Sequence, residues 1–166
     1  WQVMRLSRNR QWGLPILVDL VRGGQPVPAL LIVNKTGLLF TLNRVTGKPI
    51  FDVEERPVPK SDVPNEQASP TQPFPIKPAP MARTTITRAE LAKVTPEHQA
   101  FCEKLWETNK LSAAGPYGAW KLDDNIIVFA GAEGGSNWWG VTFDRPLGLI
   151  IGNVLDAGQW GHLQPG

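Results

Sequence analysis

Cysteine is almost absent from this chain of 166 residues: a single thiol, Cys102, rules out any internal disulfide and leaves the redox compartment open. Histidine is nearly as scarce, with only His98 and His162. His98 and Cys102 stand four apart, the spacing of a metal pair on a helix, but no second pair exists to complete a site. No apolar run approaches the roughly 18 residues that a bilayer span requires. No charged-then-apolar leader opens the sequence. Excess charge is lacking too: 17 basic against 15 acidic residues leave a net charge of +2. Nucleic-acid binding needs a clustered basic surface, so no nucleic-acid partner is expected. Arg5, Arg8 and Arg10 do gather near the start, where a solvated chain end is the simpler explanation. The chain opens on Trp1 rather than Met, which reads as an internal piece of something longer.

What is present is globular: 42% hydrophobic and 19% charged residues, enough chain for one ordinary domain with a core. Seven tryptophans accompany 16 glycines. Trp12, Trp138, Trp139 and Trp160 lie close to glycines, as expected where strands turn tightly and large rings fill gaps between sheets. Residues 16–51 read as a β meander. A strand over residues 16–21 leads through Arg22-Gly23-Gly24-Gln25, a turn able to take positive φ, into a strand over 28–33. A third strand spans 38–43, and Thr46-Gly47 turns it into Lys48-Pro49-Ile50-Phe51. Short strands at this spacing fit a sandwich, a barrel or a propeller blade.

Half of the 16 prolines fall between Pro57 and Pro80. Proline lacks a backbone donor, so residues 52–83 are expected to hold no regular structure. Phe74, Ile76 and Met81 within this non-repetitive stretch favour an ordered excursion over a linker. Two short helices should follow. Thr87-Arg88-Ala89-Glu90 has capping-box spacing, and Thr95-Pro96-Glu97 opens a helix reaching about Leu111. Phe101, Cys102, Leu105 and Trp106 form its docking face. The excursion thus occupies residues 52–124, and β structure resumes over 125–163. There a buried strand Ile126-Ile127-Val128-Phe129, a Gly-rich loop over 131–135, a strand over 138–144 and another over 147–154 are expected, with Arg145-Pro146 as the turn. Residues 40–47 and 141–148 echo one another: alternating apolar residues, an amide or carboxylate, Arg, then Gly. Consecutive propeller blades produce such an echo.

Two stretches carry candidate chemistry. Lys35, in Asn34-Lys35-Thr36-Gly37, projects an ammonium from a strand end, where it could polarise a carbonyl or stabilise an oxyanion; an ordinary surface lysine is the alternative. Gly131-Ala132-Glu133-Gly134-Gly135-Ser136-Asn137-Trp138-Trp139-Gly140 lacks the GxxxxGK[ST] pattern of a phosphate cradle. It suits a cofactor platform better: glycines admit a flat ring, Asn137 donates and accepts, and Trp138 offers an aromatic face.

Taken together, Lys35-Thr36-Gly37, the hairpin through Thr46-Gly47, Val53-Glu54-Glu55-Arg56-Pro57-Val58-Pro59, Ser69-Pro70-Thr71-Gln72-Pro73-Phe74-Pro75 and the Gly-Gly-Ser-Asn-Trp stretch resemble the quinoprotein glucose and alcohol dehydrogenases of the membrane-associated type. The resemblance runs from about Ile16 to Leu163. It implies a mainly β fold, part of an eight-bladed β-propeller, with about two to three blades and the Pro-rich, partly helical insertion on this chain. It implies the cofactor pyrroloquinoline quinone (PQQ), with Lys35 at the quinone oxygens in a catalytic role and Asn137 and Trp138 positioning the ring. Ca²⁺ or Mg²⁺ would be held mainly by residues elsewhere. It further implies a sugar or alcohol substrate, ubiquinone as electron acceptor, the remaining propeller blades as partners, and a periplasmic, inner-membrane-associated setting. One departure stands out. Where the family carries a His-His-Asp-x-Trp-Asp run with an aspartate as general base, this chain has Ser7-Arg8-Asn9-Arg10-Gln11-Trp12-Gly13 and no carboxylate before Asp19. The alternative is therefore a non-catalytic propeller-like binding or scaffold domain.

Overall fold

The computed structural model describes residues 13–137 and 139–164. Near-continuous apolar runs build the first sheet: β1 (Ile16–Arg22), β2 (Gln25–Val33) and β3 (Leu39–Asn43) pair antiparallel in that order. Gly23 and Gly24, with φ of +58° and +76°, form the two-residue turn between β1 and β2, where both central positions need positive φ. After β3 the chain turns on Asn43, whose Oδ1 accepts from the amides of Val45 and Thr46. The expected fourth strand over 48–51 shrinks to a single bridge between Leu42 and Pro49, flanked by Asn43 N–H to Lys48 O and Ile50 N–H to Thr41 O. Pro49 has no N–H with which to extend the ladder.

Period-two alternation sends Val18, Ala29, Leu31, Val33 and Leu39 to one face, where they form the main core with Val141. Ile50, Met81, Phe143 and Ile150 cover it. Phe143 and Ile150 come from β8 (Thr142–Asp144) and β9 (Leu149–Ile151), an antiparallel hairpin. The echo seen in the sequence is structural: the Asp144 carboxylate accepts from Leu147 N–H as the Asn43 amide caps its own turn, and Gly148 and Gly47 both take positive φ. The strand expected over 138–144 contracts to Thr142–Asp144. Gly140, at φ +65°, breaks extended geometry; a side chain there would sit 2.5 Å from the Leu14 carbonyl oxygen. Likewise the strand expected over 147–154 pairs only at Leu149–Ile151.

The Pro-rich stretch corrects the sequence reading most. Residues 52–83 were expected to lack regular structure, yet β4 (Val53–Pro57) and β5 (Thr71–Pro75) form a two-stranded antiparallel ribbon. The register explains how. Amide bonds from Val58 to Pro70 O and from Ile76 to Asp52 O fix the hydrogen-bonded pairs, so Pro57, Pro73 and Pro75 all fall at the alternate positions whose N–H would point outward. The ladder loses nothing to these three prolines.

Of the two expected helices, the first is one 3₁₀ turn, Arg88–Glu90, with the Thr87 amide and hydroxyl both donating to the Glu90 carboxylate. The second is α1 (Pro96–Thr108), capped by the Thr95 hydroxyl accepting from His98 N–H. It stops before Leu111 because Lys110 takes φ +49°. None of its residues is fully buried, and Phe101, expected on the docking face, is 63% exposed. Trp106 packs it against Leu111, Ile127 and Phe129. Those residues line a second sheet, where β7 (Ile126–Phe129) is central, parallel to β6 (Ser112–Ala113) and antiparallel to β10 (Gly158–Gly161).

Ala82 ties the excursion to both β regions. A Cβ built on Gly37 would lie 2.7 Å from the Ala82 Cβ, and one on Gly135 would lie 2.6 Å from it. Gly37 and Gly23 both have positive φ, but only Gly37 is crowded. Gly23→Ala should therefore cost the strain of a left-handed residue, about 1–2 kcal/mol. Gly37→Ala should cost about 1–3 kcal/mol more through overpacking. Urea unfolding of the two variants checks the order.

Candidate functional site

The site begins with the turn that ends β2. Asn34 Oδ1 accepts from the Thr36 hydroxyl at 2.7 Å and from Leu38 N–H at 3.0 Å, and both Asn34 and Thr36 are buried. This locked turn leaves Lys35 as the residue that projects. Its carbonyl oxygen accepts from Gly135 N–H at 2.7 Å. Its aliphatic stem lies on Gly134, where a Cβ would come within 2.8 Å of Lys35 Cγ. Its ammonium reaches the Ala132 carbonyl oxygen at 3.4 Å. The Gly-rich loop is in turn held from β10, since Gln159 Oε1 accepts from Ala132 N–H at 2.8 Å.

Lys35 borders a cavity of about 250 Å³ whose polar wall includes Glu66, Ser69, Gln72 and Tyr117, with Trp120 beside them. Tyr117 comes from a turn over residues 115–118. Its hydroxyl donates to Pro73 O at 3.2 Å, an oxygen that a proline at a non-ladder position leaves available. The ring of Phe74 meets it edge-on, centroids 5.2 Å apart, and the Arg56 guanidinium covers Phe74 at 5.0 Å. Burial pushes the Tyr117 phenol above its usual pKa, and the nearby Glu55 charge adds to this; hydrogen bonding with Asn34 and Thr36 pulls the other way without prevailing.

The candidate residues read from the sequence do not all converge. Lys35 meets the Gly-rich loop. Asn137 lines a different, open cleft of about 580 Å³, with Trp139, Thr142 and Asn153. Trp138 lies outside the described residues, as do Ser7 to Trp12, where the family's base would fall. Among the described residues there is no group of three or more His, Cys, Asp or Glu that could hold a metal ion. Sequence reasoning gave no role to Glu66, Gln72 or Tyr117. The signal was present in part: Gln72 sits inside the distinctive Ser-Pro-Thr-Gln-Pro-Phe run, but only the fold carries that run to Lys35.

Small, unclosed, mostly antiparallel sheets with echoed turns, and a lysine clamped on a glycine loop beside a recess, define a partial β-propeller with a candidate cofactor site. Residues 13–166 match the family described as PQQ: Glucose/ethanol/alcohol dehydrogenase, beta-propeller domain. The chain belongs to this family. It is 35% identical over 131 residues to the glycerol dehydrogenase large subunit of Gluconobacter oxydans, covering 78% of this chain and 17% of the relative. It is 33% identical over 150 residues to the quinate/shikimate dehydrogenase (quinone) of Acinetobacter baylyi, covering 90% and 18%. The quinoprotein glucose dehydrogenase of Gluconobacter oxydans is 34% identical over 152 residues, 91% of this chain and 18% of that protein. The chain thus spans less than a fifth of the length of these relatives. No solved structure matches it.

Tyr117 is the chain's single tyrosine, so absorbance at the phenolate band titrates it alone. Its midpoint should lie above the ordinary value of 10.0, because burial disfavours the phenolate. A phenol with a raised folded-state pKa contributes stability that is fully present below the unfolded value of about 10 and is lost as pH rises through the folded value. Unfolding at pH 9 and at pH 11 should show that loss, and Tyr117→Phe should remove the phenol's share of it.

Proposed function

We propose that this chain is a fragment or divergent member of a PQQ-dependent dehydrogenase oxidising sugars or alcohols, and that Lys35 faces the quinone. The observation that carries the reading is Lys35 itself, locked at its carbonyl by Gly135, along its stem by Gly134 and on both sides by the buried Asn34 and Thr36. A cation held this way needs little reorganisation when negative charge develops on a nearby oxygen. The cavity fits a carbonyl-bearing ring edge: one ammonium, the Gln72 amide, the Tyr117 hydroxyl and an apolar wall from Trp120 and Phe129. At about 250 Å³ it is smaller than whole ligand sites usually are, so further walls belong to other blades. When bound, PQQ supplies the two-electron acceptor for the hydride leaving an alcohol carbon.

Lys35 would polarise the acceptor carbonyl, with Asn137 and Trp138 positioning the ring, as the family resemblance implies. We assign Ca²⁺ or Mg²⁺ mainly to residues outside this chain, as the family resemblance implies, and derive no step from it. In the assembled propeller the substrate is a sugar or alcohol, the electrons leave to ubiquinone, and the location is periplasmic at the inner membrane. Among the described residues no helix is long and apolar enough to cross a membrane. By domain, residues 16–51 and 125–163 supply blade strands and 52–124 the insertion. The run Ser7-Arg8-Asn9-Arg10-Gln11-Trp12-Gly13, standing where the family pattern carries its aspartate, supports a second reading, a non-catalytic binding or scaffold domain.

Tryptophan fluorescence quenching by PQQ tests the cofactor reading on the chain itself, and Lys35→Met should weaken that binding. The isolated chain should not oxidise glucose or simple alcohols, lacking the other blades. In a complete propeller carrying residues 1–166, Lys35→Ala should depress kcat far more than it weakens PQQ binding. Absence of PQQ binding by the wild-type chain would refute the cofactor reading; equal turnover by the Lys35→Ala propeller would remove Lys35 from the chemistry.

A further inference from the structure

We propose that Gln159 of β10 is a positioning residue for Lys35, setting where its ammonium stands through the tip of the Gly-rich loop. The inference rests on the reading of Lys35 given above. Lys35 touches that loop at three levels. Its carbonyl oxygen accepts from Gly135 N–H at 2.7 Å, its stem lies on Gly134, and its ammonium donates to Ala132 O at 3.4 Å. The first two contacts fall at the far end of the loop, where Gly134 and Gly135 are buried and Leu155 N–H donates to Gly135 O at 2.8 Å. The third falls at the tip. The place of the charge, as distinct from that of the stem, therefore follows Ala132.

Burial does not hold the tip, since Ala132 and Glu133 are both exposed. Gln159 holds it. Ala132 N–H donates to Gln159 Oε1 at 2.8 Å, so the residue that offers its carbonyl to Lys35 is fastened by its amide to β10. A backbone N–H can only donate, which fixes Oε1 rather than Nε2 as the glutamine atom facing the loop. Register brings Gln159 there: it stands across from Val128, whose carbonyl oxygen accepts from Gly131 N–H at 3.2 Å where the loop begins. A Cβ built on Gly131 would lie 3.4 Å from Gln159 Cβ and 3.7 Å from its Oε1, so the glutamine side chain runs along the turn. Gly158 next to it lets β10 close on β7, because a Cβ there would meet the Phe129 ring at 2.9 Å.

A carbonyl at the ammonium restricts the rotamers that a long side chain samples. Without the Gln159 bond the exposed tip is free to swing outward, and Lys35 keeps its stem contacts while its ammonium loses its partner. The amine then becomes more accessible to reagents and is no longer aimed at the recess it borders.

The test reads Lys35 directly. Trace acetylation with acetic anhydride, followed by peptide mass spectrometry, reports the reactivity of each lysine in the 166-residue chain and in a complete propeller carrying it. Gln159→Leu should raise labelling at Lys35 about three- to tenfold, the scale of one lost hydrogen bond, and leave the exposed Lys48 unchanged. Gln159→Met gives the same reading should Leu disturb β10. Gln159→Glu keeps an acceptor for Ala132 N–H, so its Lys35 should label within about twofold of wild type. In the propeller, Gln159→Leu should lower kcat about tenfold or more through misplacement of the cation, with KM within about threefold, and Gln159→Glu should recover the loss. A merely structural role would lower the thermal midpoint and raise labelling at Lys35 and Lys48 together. Unchanged labelling at Lys35 in both the Leu and Met variants, or no recovery in the Glu variant, overturns the assignment of Gln159. Raised labelling at Lys35 with kcat untouched upholds the hold of Gln159 on Lys35 and overturns instead the part given to Lys35 in the reaction.

Discussion

Everything at the site depends on how closely two backbone segments approach: the turn after β2 and the loop over residues 131–135. Lys35 O and Gly135 N are 2.7 Å apart, and the lysine stem fills the space that a side chain on Gly134 would occupy. Such contact requires glycine on one side and a flexible, unbranched chain on the other. It fixes where the ammonium points, and it joins the first sheet to the second, because the loop that receives Lys35 is held by Gln159 of β10. Ala82 reinforces the junction by filling the gap between Gly37 and Gly135. A larger side chain at any of these positions would push the lysine off its platform.

The Pro-rich excursion is best understood as the other half of this arrangement. Its ribbon places Gln72 and Phe74 over the turn that carries Tyr117, and its loop brings Glu66 to the same cavity. Prolines serve that purpose because their fixed φ limits the freedom of a long surface segment. Their missing donors cost nothing where the ladder has no use for them, and the carbonyl of one of them becomes Tyr117's acceptor. The insertion thus lies beside the site and supplies part of its wall.

Several apolar side chains remain exposed on the first sheet, Leu17 at 62% and Val21 at 78% among them. Strands apolar on both faces belong between two covering layers. Here β8 and β9 supply one cover, and the other face of β1 is left exposed.

The sequence by itself determined the β character of residues 16–43, the buried strand over 126–129, the Thr95 cap of α1, the positive-φ turns and the echoed Asx-Arg-Gly hairpins, because each rests on local periodicity or on one residue's backbone preference. It also pointed to Lys35, through the motif around it. Local rules misjudged Pro57, Pro73 and Pro75, since proline opposes a strand only when its position in the ladder needs a donor, and register is a property of two strands together. They equally placed Phe101 on a docked face, because an apolar residue on a helix does not say whether anything lies opposite. Only the tertiary structure decided that Glu66, Gln72 and Tyr117 share a cavity with Lys35 while Asn137 lines another cleft. Those residues come from segments up to 82 positions apart, from Lys35 to Tyr117, and no periodicity within a segment encodes which segments meet.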